Sequence, residues 1–107
     1  MNDRIKRIYS PMTESGFYIL FCLKTPKHGY AISQLVKKMT AGSVTIGAGT
    51  MYGTLSKMEK DGLIKFCGEK ENRKLYQITD TGHEVLSNEI SRIERLYKNS
   101  KGEDLDA

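Results

Sequence analysis

The sequence predicts a mainly α-helical domain that carries one small β-hairpin and closes on a long helix. The spacing of apolar residues predicts it. That spacing is helical up to Gly62, alternates over residues 64–78, and turns helical again along Leu86, Ile90, Ile93 and Tyr97. Size agrees, because 107 residues suit a single core where domains commonly run to about 100–150 residues.

The start, MNDRIKRIYS, is charged throughout and no small-residue cleavage site follows it, so no secretory signal is expected. No uncharged apolar run approaches the roughly 20 residues of a membrane span. The expectation is a soluble, cytoplasmic protein with no membrane partner.

Thr13 is suited to cap the first expected helix, TESGFYILFCL, which is apolar almost all round and stops before Pro26. KHGY reads as a turn in which Gly29 is free to take a positive φ. From Tyr30 to Thr40, Ile32, Leu35, Val36 and Met39 mark one buried face of a second helix. AGSVTIGAG has no helical period and reads as a linker. A third helix follows over residues 48–61, with Gly47 as N-cap and Gly62 just past its end.

Beyond Gly62, Ile64 and Phe66 alternate with Lys65 and Cys67, and Tyr76 and Ile78 with Leu75 and Gln77. The polar GEKENRK between them predicts a hairpin with a basic tip. Thr79 caps the last helix, residues 80–100, with Asp80 favourable to its dipole. The steps of four, three and four between Leu86, Ile90, Ile93 and Tyr97 form a coiled-coil seam flanked by Glu89 and Glu94; a monomer could bury it on its own body, but a long terminal helix of this spacing often packs against a twin, so these four residues are the candidate dimer contacts. KGEDLDA reads as a frayed acidic tail.

Charge is unevenly spread. Residues 1–80 hold 13 Lys and Arg against 7 Asp and Glu, whereas residues 81–107 hold 4 against 6. A basic part can serve solubility alone or meet a polyanion; with the terminal helix and acidic tail it divides one structural unit into a candidate DNA-binding portion, 1–80, and a candidate dimerising portion, 81–107. Cys22 and Cys67, and His28 and His83, lack the short paired spacings of metal ligands. Without a nucleotide loop, a nucleophile elbow or a zinc-protease motif, neither an enzyme nor a cofactor is expected.

Helix, helix, helix, hairpin, helix is the order of a winged helix-turn-helix, in which the third helix enters a DNA major groove and the hairpin follows the backbone. Opposite its apolar Met51, Leu55 and Met58, the third helix carries Gly49, Thr50, Gly53, Thr54 and Lys57. Small residues let a helix approach base edges, threonine methyls can touch thymine, and Lys57 can meet phosphate or guanine. The plain alternative is a small, solvated face. Lys37 and Lys38 on the second helix and Lys70, Arg73 and Lys74 on the hairpin suit phosphate contacts as a set, although any one alone could be merely solvated. Tyr30, at a helix start, suits a phosphate or packs on the first helix.

These segments resemble the PadR family of bacterial winged-helix transcriptional regulators. ILFCLKTPKHGYAI looks like its first helix and HGY turn, GTMYGTLSKMEKDGLI like its recognition helix, and RKLYQITDTGHEVL like its second wing strand and final helix. The resemblance implies that the hydroxyl of Tyr52 contacts phosphate or a base, the alternative being a ring at the rim of the core. It implies a homodimer joined through the last helix, as in the compact branch of the family. It also implies relief from DNA by a small molecule in some relatives, with Met12, Phe17, Phe21 and Tyr97 either lining a cavity between subunits or belonging to an ordinary core. Relatives often have Ser-Pro where Gly47-Ala48 stands, and a longer, more Arg-rich wing. No Trp is present to sandwich a flat ligand.

The expected function is a homodimeric, sequence-specific repressor of transcription that binds a palindromic duplex operator and is open to relief by a signal at the dimer interface. The competing reading is a winged helix that docks another protein instead of DNA.

Overall fold

The computed structural model describes residues 2–102 and Leu105. Five helices and one hairpin follow in the order α1 (Asp3–Tyr9), α2 (Glu14–Cys22), α3 (Gly29–Met39), α4 (Ala48–Lys60), β1 (Ile64–Lys70), β2 (Arg73–Ile78) and α5 (Asp80–Ser100). Of the acidic tail expected after α5, Glu103, Asp104, Asp106 and Ala107 lie outside the described residues. No described helix is long and apolar enough to cross a membrane.

Side chains cap four of the helices. Thr13 accepts from Gly16 N–H at 3.0 Å, His28 Nδ1 from Ala31 N–H at 3.1 Å and Thr79 from Gly82 N–H at 3.1 Å. Asn2 accepts from Ile5 N–H at 2.8 Å and starts α1. The charged start, ahead of the first expected helix, is therefore itself a helix, because Ile5, Ile8 and Tyr9 recur at helical spacing behind a good N-cap. Gly29 is also corrected. It is helical, and what it supplies is room: a Cβ there would come within 2.9 Å of Met51 Cγ and 3.4 Å of Leu55 Cδ1.

The C-terminus of α4 is closed by paired bonds from Leu63 N–H to Met58 O (2.9 Å) and Gly62 N–H to Glu59 O (3.1 Å). Gly62 takes φ +80°, the left-handed geometry that this ending requires. Next to it, Thr79 N–H donates to Leu63 O at 2.9 Å, and a Cβ on Gly82 would lie 2.1 Å from the same oxygen. The first turn of α5 thus sits directly on the start of β1.

The strands run further than the sequence suggested. They pair antiparallel from Ile64↔Ile78 to Lys70↔Arg73, with a bulge between Phe66 and Gly68, so only Glu71 and Asn72 form the turn. Both have φ near +60° (56° and 61°), as a two-residue hairpin turn demands. The opposed charges of Glu69 and Lys74 face one another across the pair. Lys27 exchanges two backbone bonds with Tyr76, at 3.1 and 3.0 Å, and Ile78 N–H donates to Leu23 O at 2.8 Å, so the hairpin hangs from the α2–α3 turn.

The core gathers Ile19, Leu20 and Leu23 of the α2 region, Ile32 and Val36 of α3, Met51, Leu55 and Met58 of α4, and Leu63, Ile64, Val85 and Leu86. Two expectations about α5 fail here. Leu86 is 2% exposed and belongs to this core, not to a free seam. Glu89, expected to flank the seam, is itself buried, with Oε1 accepting from Arg92 and Oε2 without a partner among the described residues. The reason is that α5 lies on α2 through its first half and projects beyond it. A radius of gyration of 15.3 Å, against about 13 Å for a compact chain of this length, agrees with that projection.

Asp61, the C-cap of α4, anchors α1. Its carboxylate accepts from Tyr9 Oη at 2.7 Å and from Arg4 Nη2 at 3.2 Å, with the Asp61 side chain 4% exposed and that of Arg4 60%. Burial opposes its charge, but the bonds from Tyr9 and Arg4 and the charges of Arg4 and Lys57 outweigh burial and hold the carboxyl below the ordinary aspartate range. Burial pushes the Tyr9 hydroxyl well up, and its bond to Asp61 adds to that. A carboxyl depressed in the folded state stabilises above its unfolded pKa of about 3.9 and loses that contribution as pH falls through the folded value. Asp61→Asn is expected to cost about 1–3 kcal/mol at neutral pH, mostly through Tyr9, since the exposed Arg4 is screened. In urea titrations the gap to the wild type should close as pH drops below the carboxyl range.

Candidate nucleic-acid interface

α4 turns Met51, Leu55 and Met58 into the core and leaves the opposite face open. Gly49, Thr50, Tyr52, Gly53 and Lys57 are exposed and Thr54 is half-buried. Among the described residues, a Cβ added at Gly49 or Gly53 would meet nothing within 4 Å. The fold itself gives no steric reason for glycine at either site, although glycine in a helix costs about 1 kcal/mol relative to alanine. Gly47 caps α4 without a side-chain bond, which leaves the first amide groups of the helix toward solvent.

Beside this face, α4 and the wing enclose a cleft of about 320 Å³ whose lining includes His28, Tyr52, Ser56, Asn72, Arg73 and Lys74. Tyr30 and Tyr52 are both exposed near it. The Arg73 guanidinium lies 4.6 Å from the centre of the Tyr30 ring, which in turn stacks with the His28 ring at 6.5 Å. That contact holds a cation beside the turn of the wing, where a planar guanidinium can present its donors to an anion.

The structure therefore brings Tyr30, Tyr52, Arg73 and Lys74 together around one cleft. Lys70 stands at the end of β1 beside the turn, exposed, with exposed Glu69 and Glu71 for neighbours. Lys37 and Lys38 are exposed in the last turn of α3, where they also complement its dipole, and among the described residues no contact ties them to the cleft. Lys57 leans the other way, its ammonium 5.7 Å from the centre of the Tyr9 ring.

His28, Ser56 and Asn72 join the cleft without having been singled out as contacts. The His-Gly turn and the two-residue Glu71-Asn72 loop could have signalled the first and the last. Ser56 carries no signal beyond lying one turn from Tyr52 on the same face. Among the described residues no cluster of three or more His, Cys, Asp or Glu is placed to hold a metal ion. Cys22 is buried, its thiol pushed up by burial, and Cys67 is exposed on β1.

Residues 19–88 match the family described as Transcriptional regulator PadR-like family. A transcriptional regulator from Clostridium thermocellum superposes with a TM-score of 0.72 at 25% identity, covering 96% of this chain and 99% of that one. PadR of Bacillus subtilis, solved in complex with operator DNA, aligns with a TM-score of 0.61 at 27% identity over 71% of this chain and 46% of that one. The transcriptional regulator YqjI of Escherichia coli strain K12 is 26% identical over 74 residues, 69% of this chain. The chain spans only 20% to 36% of the length of the curated relatives it matches.

Because nothing lies near the missing Cβ of Gly53, Gly53→Ala should raise the stability of the free protein by up to about 1 kcal/mol. Thermal unfolding that shows a loss of stability instead would mean that this face is covered.

Proposed function

This chain belongs to the PadR-like family of transcriptional regulators, and from that membership we propose a homodimeric, sequence-specific repressor that acts in the cytoplasm on a palindromic duplex. The open, slim face of α4 carries the proposal. Thr50, Tyr52, Gly53 and Thr54 read base edges from the major groove, with Gly49 allowing close approach at the helix start. Tyr30, Lys37, Lys38, Lys57, Lys70, Arg73 and Lys74 meet phosphates and fix the register. The operator complex of Bacillus subtilis PadR supports the same mode here.

Residues 1–80 form the DNA-binding portion, and residues 81–107 join two copies. Past the buried Leu86, α5 leaves Ile90 40%, Ile93 42% and Tyr97 58% exposed, with Leu96 alongside at 49%. An apolar stripe of this kind on a projecting helix suits pairing with its twin. The pairing sets two copies of α4 on successive major grooves, about 34–36 Å apart. A cavity of about 410 Å³ whose lining includes Met12, Glu14, Phe17, Glu89, Arg92 and Ile93 opens beside the stripe. A signal acting there would change the angle between subunits and so displace one reading helix from its groove.

Fluorescence anisotropy with duplexes selected from a random pool tests the assignment. Thr50→Ala or Tyr52→Ala should remove roughly 1–3 kcal/mol of preference for the selected site over random duplex. Lys74→Ala or Lys37→Ala should weaken both alike, and the slope of log affinity against log salt should become shallower by about 0.9 for each phosphate no longer neutralised. A uniform reduction from all four would reject α4 as the reader, and absence of duplex affinity at low salt would favour a protein-docking winged helix.

The double substitution Ile90→Glu with Ile93→Glu should leave a folded monomer, since both residues lie outside the core, and operator affinity should fall with it. Light scattering that still records a dimer would refute pairing through α5.

A further inference from the structure

A cavity of about 230 Å³ lies between the link joining α1 to α2 and the flank of α4. Ile8, Met12 and Met58 make its apolar wall, while Thr13, Thr54 and Lys57 stand as polar lining. Lys57 is the sole charged residue in that lining. Among the described residues it has no carboxylate within ion-pair distance, and its ammonium lies beside the Tyr9 ring. Asp61, one turn along, is already bonded by Tyr9 and Arg4. The Thr13 hydroxyl accepts from Gly16 N–H, which leaves its own proton to donate. A cavity with an apolar wall, threonine hydroxyls and one cation that acts on Asp61 only at a distance, with no ion pair among the described residues, complements a small anion that has an apolar tail. Ligand pockets for drug-sized molecules run to roughly 300–1,000 Å³, so this one selects something smaller, and methionine side chains adapt readily to such guests.

We propose that this cavity binds a free short-chain carboxylate of about four to eight carbons, with its carboxylate on Lys57 and the threonine hydroxyls and its chain between Met12 and Met58. Ile8, Met12, Thr13 and Gly16 precede the segment matched to the family, so the site is not contained in that match. Occupancy neutralises Lys57 and draws it, with Thr54, away from a duplex. Only this regulatory consequence rests on the DNA-binding reading.

The test is a titration of the full chain, labelled with ¹³C at the methionine methyls, with sodium hexanoate. The methyl signals of Met12 and Met58 should shift and saturate while that of Met39, on α3 and outside the cavity, stays still. Affinity should tighten about fourfold for each methylene added between butanoate and hexanoate. Lys57→Met should remove the advantage of hexanoate over hexanol, and Met12→Trp, which fills the chamber, should abolish binding of both. Unmoved Met12 and Met58 signals, or equal binding of hexylammonium, would overturn the site. Hexanoate should also weaken binding to a random-sequence duplex at low salt by on the order of tenfold, the worth of a charged contact. Unchanged duplex affinity at saturating hexanoate would overturn the regulatory consequence. Methyl shifts in a protein with no duplex affinity would leave the carboxylate site standing and reject the DNA reading.

Discussion

The close approach of α3 to α4 governs the rest of the molecule. Gly29 has no side chain, and the space a Cβ would fill is taken by Met51, Tyr52 and Leu55. Any larger residue would have to displace these side chains, and with them the packing that seats α4 on α3. The same α2–α3 turn supplies Lys27, which pairs with Tyr76, and Leu23, which accepts from Ile78. The seat of α4 and the hinge of the wing therefore share one short stretch of backbone, and a displacement of either must be felt by the other. Tyr30, one residue past Gly29, completes the arrangement by holding Arg73.

A second constraint acts at the opposite end of α4. Gly62 reverses the chain, Leu63 O receives the amide of Thr79, and Gly82 brings α5 down onto that carbonyl. Thr79 Oγ1 donates to Gly62 O at 2.6 Å as well. The end of α4, the first residue before β1 and the start of α5 are thus joined within a few ångströms. A change in the direction of α5 can reach α4 through backbone hydrogen bonds with little slack. Glu89 marks where α5 leaves the body: it is buried with one oxygen unpartnered among the described residues, an arrangement that costs stability and stands next to the last contacts with α2.

α1 changes the surroundings of the reading helix without belonging to it. Asp61, Tyr9 and Arg4 fasten it to the C-cap of α4, and the ring of Tyr9 draws Lys57 toward that side. Cations on the exposed face therefore have two environments. Arg73 and Lys74 border the wing cleft, whereas Lys57 borders the smaller cavity beside α1.

Much of this architecture was legible in the amino-acid order. Apolar periods located α2 to α5, Thr13 and Thr79 announced two helix starts, Gly62 announced an ending, and the slim face of α4 was visible as Gly49, Thr50 and Gly53 opposite Met51 and Leu55. These features are encoded within one or two turns of chain, where sterics and hydrogen bonding act between near neighbours. α1 was encoded equally locally, but its charges masked its short apolar stripe. Only the tertiary structure decided that Gly29 gives room and not a turn, that Leu86 and Glu89 are inside while Ile90, Ile93 and Tyr97 are outside, and that Tyr30 meets Arg73 and Tyr9 meets Asp61. Those outcomes depend on groups far apart along the chain, 52 residues in the case of Tyr9 and Asp61. Periodicity says that a helix has an apolar side; the length over which a neighbour covers that side is set by packing alone.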